Sequence, residues 1–380
     1  QADLDSLLAD GILRETHEDF DTWMAFADER LLEFLAATNL PLSNPREVLD
    51  QLLAQSGRFP PAMIVAGFFC CRAASAPERL GTVAEAIRSV DGTEGLLRQI
   101  ASLDPKRFIE IASAAVRPEE PSAFSLVSAL VHDGEPRLAA ELVDALYRRS
   151  GSKVDPKMRT LRAKALHEND EYGRAGDELD LVPCSDRSPE GLELRAEVHI
   201  ALNEFAAAVA LLNGLVGGVE HPSGTALRSL GYALGRLGRP AEAEASLRKA
   251  IATLGPHPVV ALGEAWGDLG EVLLEEGRLE EARDAIEKSL DISRRIPSLM
   301  GHCIGLGLMG ALEVRAGRLH EAEELLERSL ELCRRIGNRW REAHLLGHLS
   351  ECIRIGGDTA RAGRLEEEAR EIREEITQDG

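Results

Sequence analysis

The feature that most limits the fold is a pattern that recurs four times in the C-terminal half of the chain. Each unit has a small residue, a short turn and then an alanine, which follows the small residue by 12 positions. The alanines are Ala243, Ala282, Ala322 and Ala362, so the period is 39, 40 and 40 residues. A fixed period of this length is typical of solenoids, whose units stack because none can bury its apolar face alone.

The residue types predict that each unit is an antiparallel helical hairpin. The small residue lets the second helix approach the first, and the alanine does the same from the other side. Glycine at the turn ends the first helix, because glycine accepts the left-handed conformation of a helix C-terminus. The small residues are Gly231, Gly270, Gly310 and Ser350, and the turn glycines are Gly238, Gly277, Gly317 and Gly357.

Three weaker units precede these four. Their alanines are Ala139, Ala175 and Ala208, spaced by 36, 33 and 35 residues up to Ala243. Residues Val127, Ala163 and Ala196 stand in place of the small residue. We therefore expect about seven units, from roughly Pro121 to the end of the chain.

The repeated unit resembles the tetratricopeptide repeat, with the pattern W-x2-L-G-x2-Y followed by A-x3-F-x2-A. The second unit carries it as Trp266-x-x-Leu269-Gly270, then Ala282, Ile286 and Ser289. The usual period of 34 is exceeded, as in longer variants of this repeat. The resemblance implies a right-handed, all-α solenoid that holds a protein partner. The charged last helix, Arg361 to Ile376, suits the polar cap that a solenoid needs.

Composition agrees with a helical array and limits the partners. Hydrophobic residues make up 44% of the chain and aromatic residues 4%, which favours an aliphatic, helix-built core. The formal charge is −21 and the pI is near 5.0. A general nucleic-acid binder needs a basic footprint, so the charge argues against nucleic acid and equally against an anionic membrane surface.

Residues 1–40 show a different pattern, which predicts helix, strand, turn, strand and helix. The segment Leu4-x-x-Leu7-Leu8-x-x-Gly11-Ile12-Leu13 is followed by Phe26-x-Asp28-x-x-Leu31-x-Glu33-x-Leu35-Ala36-Ala37. This resembles the winged-helix region after the ATPase core of bacterial signal-transduction ATPases with numerous domains (NACHT and apoptotic-ATPase relatives). The family's usual histidine is replaced by Asp28, which puts a nucleotide-sensing role for that position in doubt. An ordinary helical hairpin with a short β-turn is the alternative.

The sequence thus predicts three regions: a winged-helix-like element at 1–40, a helical linker domain at 41–120 and the repeat array at 121–380. Prolines at first-turn positions predict the linker helices. These helices are Pro45–Gln55, Pro61–Ala74, Pro77–Val90, Thr93–Leu103 and Pro105–Val116. The chain begins with Gln1 rather than Met, and we expect it to be an excised or processed part of a longer protein.

Motifs that carry chemistry are few. The chain has no G-x-x-x-x-G-K-[ST], G-x-S-x-G or H-E-x-x-H, so we predict no catalytic residues and no cofactor. Six cysteines give no disulfide or zinc spacing. His344, His348 and Cys352 share one helix face, but a metal site there is the less favoured interpretation. Without a signal peptide or a long apolar run, a cytoplasmic location is expected.

The inner face of the solenoid is the predicted partner-binding groove. In this repeat, first-helix residues at fixed offsets from the small residue face the groove. Their charges change from basic to acidic along the array, which suits an extended peptide or a protein surface of matching charge. The predicted groove residues are Arg228, Tyr232, Arg236, Glu264, Asp268, Glu271, Glu275, Arg315, His348, Glu351 and Arg354.

Resemblance to the signalling ATPases implies that the repeats sense a ligand and release an autoinhibited nucleotide-binding core. It also implies a role in bacterial defence, with recognition of a foreign protein. Two alternatives stay open: the repeat region of a transcriptional regulator, or a stand-alone scaffold that assembles a complex.

Overall fold

The structure, a computed structural model, describes residues 46–50, 66–67, 69–71, 74, 77–89, 93–150, 153–296 and 298–379. The predicted winged-helix-like element at 1–40 lies outside these residues. The chain divides into two compact units between Pro183 and Cys184. The three regions predicted from the sequence stay predictions.

The first unit is built from helices joined by short turns. Residues 46–50 and 69–71 are helical. Four of the five predicted linker helices begin with proline. The structure describes the starts of three of the five, and helices do begin there, at Pro77, Thr93 and Pro105. The helices that follow are α1 Pro77–Arg88, α2 Thr93–Leu103, α3 Pro105–Ala115, α4 Pro121–His132, α5 Pro136–Ser150, α6 Pro156–Glu168 and α7 Tyr172–Asp180.

The second unit contains five consecutive helical pairs after a 3₁₀ turn at Cys184–Asp186. Each pair packs as a hairpin, and each hairpin contacts the next. The helices are α8 Pro189–Ala201, α9 Phe205–Gly217, α10 Gly224–Arg236, α11 Pro240–Leu254, α12 Val260–Glu275, α13 Leu279–Arg295, α14 Leu299–Arg315, α15 Leu319–Ile336, α16 Arg339–Ile355 and α17 Thr359–Asp379.

The predicted repeat alanines form the contact between the two helices of each hairpin. All seven are at most 1% exposed, including the three of the weaker units. The small residues lie opposite them. A Cβ added at Gly310 would lie 2.6 Å from Leu326 Cγ, and one at Gly270 would lie 2.7 Å from Ile286 Cγ1. Only glycine permits these helices to approach so closely, which confirms the predicted reason for the pattern.

The turns between paired helices share one backbone conformation. Gly238, Gly277 and Gly317 have φ between 69° and 77°. Asp170 and Asn203 occupy the same place in the weaker units, with φ of 61° and 60°. Asp and Asn enter this left-handed region more readily than other residues with a side chain. Two of the three weaker units therefore keep the repeat's turn although they have lost its glycine, and the first keeps the glycine itself as Gly134, with φ of 80°.

Neighbouring hairpins of the second unit are joined by ion pairs. Arg278 Nη1 lies 2.9 Å from Glu244 Oε2 in the preceding hairpin. Arg283 Nη2 lies 2.7 Å from Glu313 Oε1 in the following hairpin. Arg361 pairs with Glu323 across the last junction. Among the helices that the structure describes, none has both the length and the apolar character needed to cross a bilayer.

Candidate functional site

The first helices of successive hairpins, α10, α12, α14 and α16, contact one another in turn. We call the surface along them the inner surface of the second unit. On α12, Glu264, Asp268, Glu271 and Glu275 follow one another by four, three and four residues, which places all four on one helical face. We call these four residues the acidic stripe. The helix has no Lys or Arg within Val260–Glu275.

Arg228 of α10 faces the first half of the acidic stripe. Its Nη1 lies 3.4 Å from Glu264 Oε2 and 3.5 Å from Asp268 Oδ2. Its Nε is buried and has no hydrogen-bond partner. One guanidinium is therefore shared by two carboxylates, and Arg228, Glu264 and Asp268, which are all predicted groove residues, lie together in the structure.

Burial dominates the electrostatics of the acidic stripe. The Asp268 side chain is 16% exposed. Burial raises the pKa of Asp268 to about 7, and the neighbouring Glu271 and Glu264 also raise it, while Arg228 and Arg341 oppose them. Burial likewise raises the pKa of Glu271, and the Arg236 charge lowers it. Burial and the neighbouring carboxylates thus disfavour the charged form of Asp268, and the nearby arginines offset this only in part.

Tyr232 and Arg236, further along α10, contact an aromatic ring of the preceding hairpin. The Tyr232 and Phe205 rings meet edge to face, with centroids 6.4 Å apart. The guanidinium of Arg236 lies 5.6 Å from the Phe205 centroid, within the range of a cation–π contact. Burial raises the pKa of Tyr232, as does the nearby Glu271.

A cationic region lies on α16. The rings of His344 and His348 meet edge to face at 4.6 Å. Burial lowers the pKa of His344 to about 3, and His348, Arg341, Arg236 and Arg373 lower it further. This imidazole is therefore neutral at physiological pH and surrounded by positive charge.

The remaining predicted groove residues take different positions. Burial lowers the pKa of His348; Glu351 raises it and Arg315 lowers it, which places these three side chains near one another. Arg354 is directed instead to the second helix of its own hairpin. It pairs with Glu366 and donates to Ser350 Oγ at 3.2 Å.

The helix face of His344, His348 and Cys352 does not form a metal-binding group. Cys352 is buried and its thiol lies 3.4 Å from the Leu319 carbonyl oxygen. Within the described residues, no three His, Cys, Asp or Glu side chains are placed to hold a metal ion.

Three residues of the inner surface were missed from the sequence. Arg341 acts on Asp268 and Glu271 from two hairpins away along the chain, and Arg373 reaches the surface from the last helix. Phe205 belongs to the second helix of its hairpin, whereas the groove residues were predicted only on first helices. These three residues meet the inner surface because the hairpins stack, and the repeat pattern does not specify that stacking.

Sequence comparison agrees with this geometry. Residues 193–258, 263–295 and 303–375 each match a profile of the tetratricopeptide repeat. The matched segments cover most of the five hairpins of the second unit. The chain is therefore a tetratricopeptide-repeat protein, all-α, with its helices packed in consecutive pairs.

Solved structures with a similar fold are repeat proteins of the same kind. The apo form of RapI aligns over 67% of this chain and 98% of its own length, with 11% identity and a TM-score of 0.57. A Rap protein complexed with competence and sporulation factor aligns over 90% and 100%, with 12% identity and a TM-score of 0.53. The Cut9–Hcn1 hetero-tetramer of APC/C aligns over 81% and 63%, with 14% identity and a TM-score of 0.50. No curated protein matches the chain in sequence.

Proposed function

We propose that the chain binds a protein or peptide partner along the inner surface of its second unit. The observation that carries this proposal is the acidic stripe, whose four carboxylates lie along one face of α12 and exceed the arginines beside them. Like charges set close together on a partly buried surface repel one another, and a ligand that brings positive charge relieves this repulsion. Solenoids use such extended surfaces for binding.

Two of the similar structures support a macromolecular partner. One is a Rap protein complexed with competence and sporulation factor, and another is a subunit complex of APC/C. For this chain, the α12 carboxylates favour basic groups of the partner, and the region around His344 favours acidic ones. A partner of mixed charge, laid along the hairpins, satisfies both.

The binding surface is tested by affinity capture followed by reconstitution. The full chain serves as bait, and the captured protein is identified by mass spectrometry, purified and titrated by calorimetry. We expect Arg236→Ala and Glu271→Gln to weaken binding about 10- to 100-fold, since a hydrogen bond to a charged group contributes about 1.5–3 kcal/mol. The matched outer-surface controls are Arg248→Ala and Glu287→Gln, which keep the wild-type affinity. Equal affinity for all four variants would place the site on another face.

We further propose a biological role for this binding: the repeats sense a ligand for a multidomain signalling ATPase with a role in bacterial defence. It is supported by the resemblance of residues 1–40 to the winged-helix region of those ATPases. The coding sequence upstream of Gln1 tests it: a P-loop supports the proposal. A basic helix-turn-helix would favour a transcriptional regulator, and a start codon beside Gln1 would favour a scaffold.

A further inference from the structure

A small cavity opens at the N-terminal end of the acidic stripe. It lies between the first turns of α12 and α14, with α13 beneath, and measures about 80 Å³. Val260, Ile292, Met300 and Ile304 supply its apolar walls, and Glu264 lies at its edge. A single water needs roughly 10–15 Å³ of such volume, so the cavity has room for the end of an aliphatic side chain.

The polar atoms that line the cavity already have partners. Ser289 Oγ donates to the Gly263 carbonyl at 2.7 Å, and Ser293 Oγ donates to the Leu290 carbonyl at 2.9 Å. Ser298 Oγ accepts from the Gly301 amide at 3.0 Å. The three serine hydroxyls are therefore already engaged, and an apolar group fits the cavity between them better than a polar one.

The backbone keeps the cavity open. Gly263 and Gly301 lie on opposite sides of it, and a Cβ at either would come within 3.1 or 3.2 Å of Ile292 Cγ2 or Ser293 Cβ. One apolar wall residue is also left uncovered, since Val260 is 51% exposed. Leu299, which begins α14 beside the lining residue Met300, is 56% exposed. Exposed apolar groups beside a polar surface commonly mark a binding site.

The charge beside the mouth defines the second property of the occupant. Glu264 lines the cavity and Asp268 lies one turn further along α12, and the Arg228 guanidinium is within 4 Å of both carboxylates. A carboxylate has about four acceptor positions, so each can accept a further donor. Glu271 and Glu275 continue the negative charge along the same face.

Resting on the proposed function, we propose that the partner is a peptide segment with an aliphatic residue next to Lys or Arg. The aliphatic side chain enters the cavity between α12 and α14, and the basic side chain pairs with Glu264 and Asp268. The cavity selects by shape and apolarity, and the stripe selects by charge.

The test is selection of capped dodecapeptides from a random immobilised array by the full chain. We expect enrichment of an aliphatic–basic pair over the array average. Val260→Trp, at the exposed rim, blocks the mouth, and we expect it to reduce the aliphatic preference at least fivefold. Glu264→Gln should reduce the basic preference and leave the aliphatic one. The matched control is Val219→Trp, since Val219 is 53% exposed outside this surface.

Gly301→Leu provides a second way to fill the cavity, with Gly363→Leu as its control because a Cβ at Gly363 meets nothing within 4 Å. Circular dichroism of each variant establishes that it is folded. Peptides that depend on Arg236 and Glu271 but show no aliphatic preference would overturn this inference and leave the proposed function intact. Enriched peptides that are insensitive to all inner-surface variants, or no enrichment at all, would count against both.

Discussion

Replacement of Asp268 by asparagine tests whether the acidic stripe costs the fold stability at neutral pH. Asp268 is 16% exposed and lies one turn from both Glu264 and Glu271. Its pKa rises from the ordinary value of 3.8 to about 7, mainly because burial disfavours the charged form. Asparagine keeps the size and removes the ionisation.

The direction in which stability changes with pH follows from the protons that the folded and unfolded chains bind. Between about pH 4 and pH 7 the folded chain keeps the Asp268 proton, whereas the unfolded chain has released it. Stability falls with rising pH wherever the folded state binds more protons. At 1.36 kcal/mol per pKa unit, the rise in the pKa of Asp268 from 3.8 to about 7 corresponds to about 4 kcal/mol of the free energy of unfolding. The wild type loses this contribution by pH 8.

The assay is urea unfolding of the full chain, followed by far-ultraviolet circular dichroism at intervals from pH 5 to pH 8. We expect the free energy of unfolding of Asp268→Asn, relative to that of the wild type, to rise by a few kcal/mol over this range. Asp284→Asn is the control, since the Asp284 side chain is 65% exposed and pairs with Lys288 at the surface. Parallel pH profiles of wild type and Asp268→Asn would refute the reasoning.

Three further changes test the hairpins by equilibrium unfolding. Gly310→Val places side-chain atoms where Leu326 lies, and we expect a loss of about 1–3 kcal/mol. Gly363→Val, made where the space is open, should leave the stability unchanged or raise it by up to about 0.5 kcal/mol, because valine has a higher helix propensity than glycine. Glu313→Gln leaves Arg283 and Arg318 without their buried carboxylate, and since both guanidiniums stay partly exposed we expect a loss of about 1.5–3 kcal/mol that diminishes in high salt. Asn203→Gly relieves a left-handed backbone, and we expect a gain of up to about 1 kcal/mol; a loss would show that the Asn203 side chain is itself needed.

The local structure was predictable because the repeat pattern encodes it directly. An alanine at the hairpin contact and a residue able to take positive φ at the turn are requirements of a single hairpin. They identified Ala139, Ala175 and Ala208 as buried even where the rest of the pattern had weakened. Asn203 kept the turn without glycine, as its side chain allows.

The inner surface was predictable only in part, because it depends on how the hairpins stack. The acidic stripe follows from helical spacing within α12. Arg228 follows from its position in α10, three residues before the small residue Gly231. The action of Arg341 on Asp268 depends on how hairpins two places apart approach one another, which a sequence period does not specify. Arg354 shows a different case, because it pairs with Glu366 on α17, within its own hairpin.

The ion pairs between hairpins have a consequence for the order of the repeats. Glu244, Arg283 and Glu323 each follow a repeat alanine, so the same structural position alternates in sign along the array. Each finds an opposite charge on the next hairpin: Arg278, Glu313 and Arg361. The backbones of the hairpins are nearly interchangeable, but their charges are not. Exchanging two neighbouring hairpins would separate these matched pairs, so the ion pairs favour the order in which the hairpins occur.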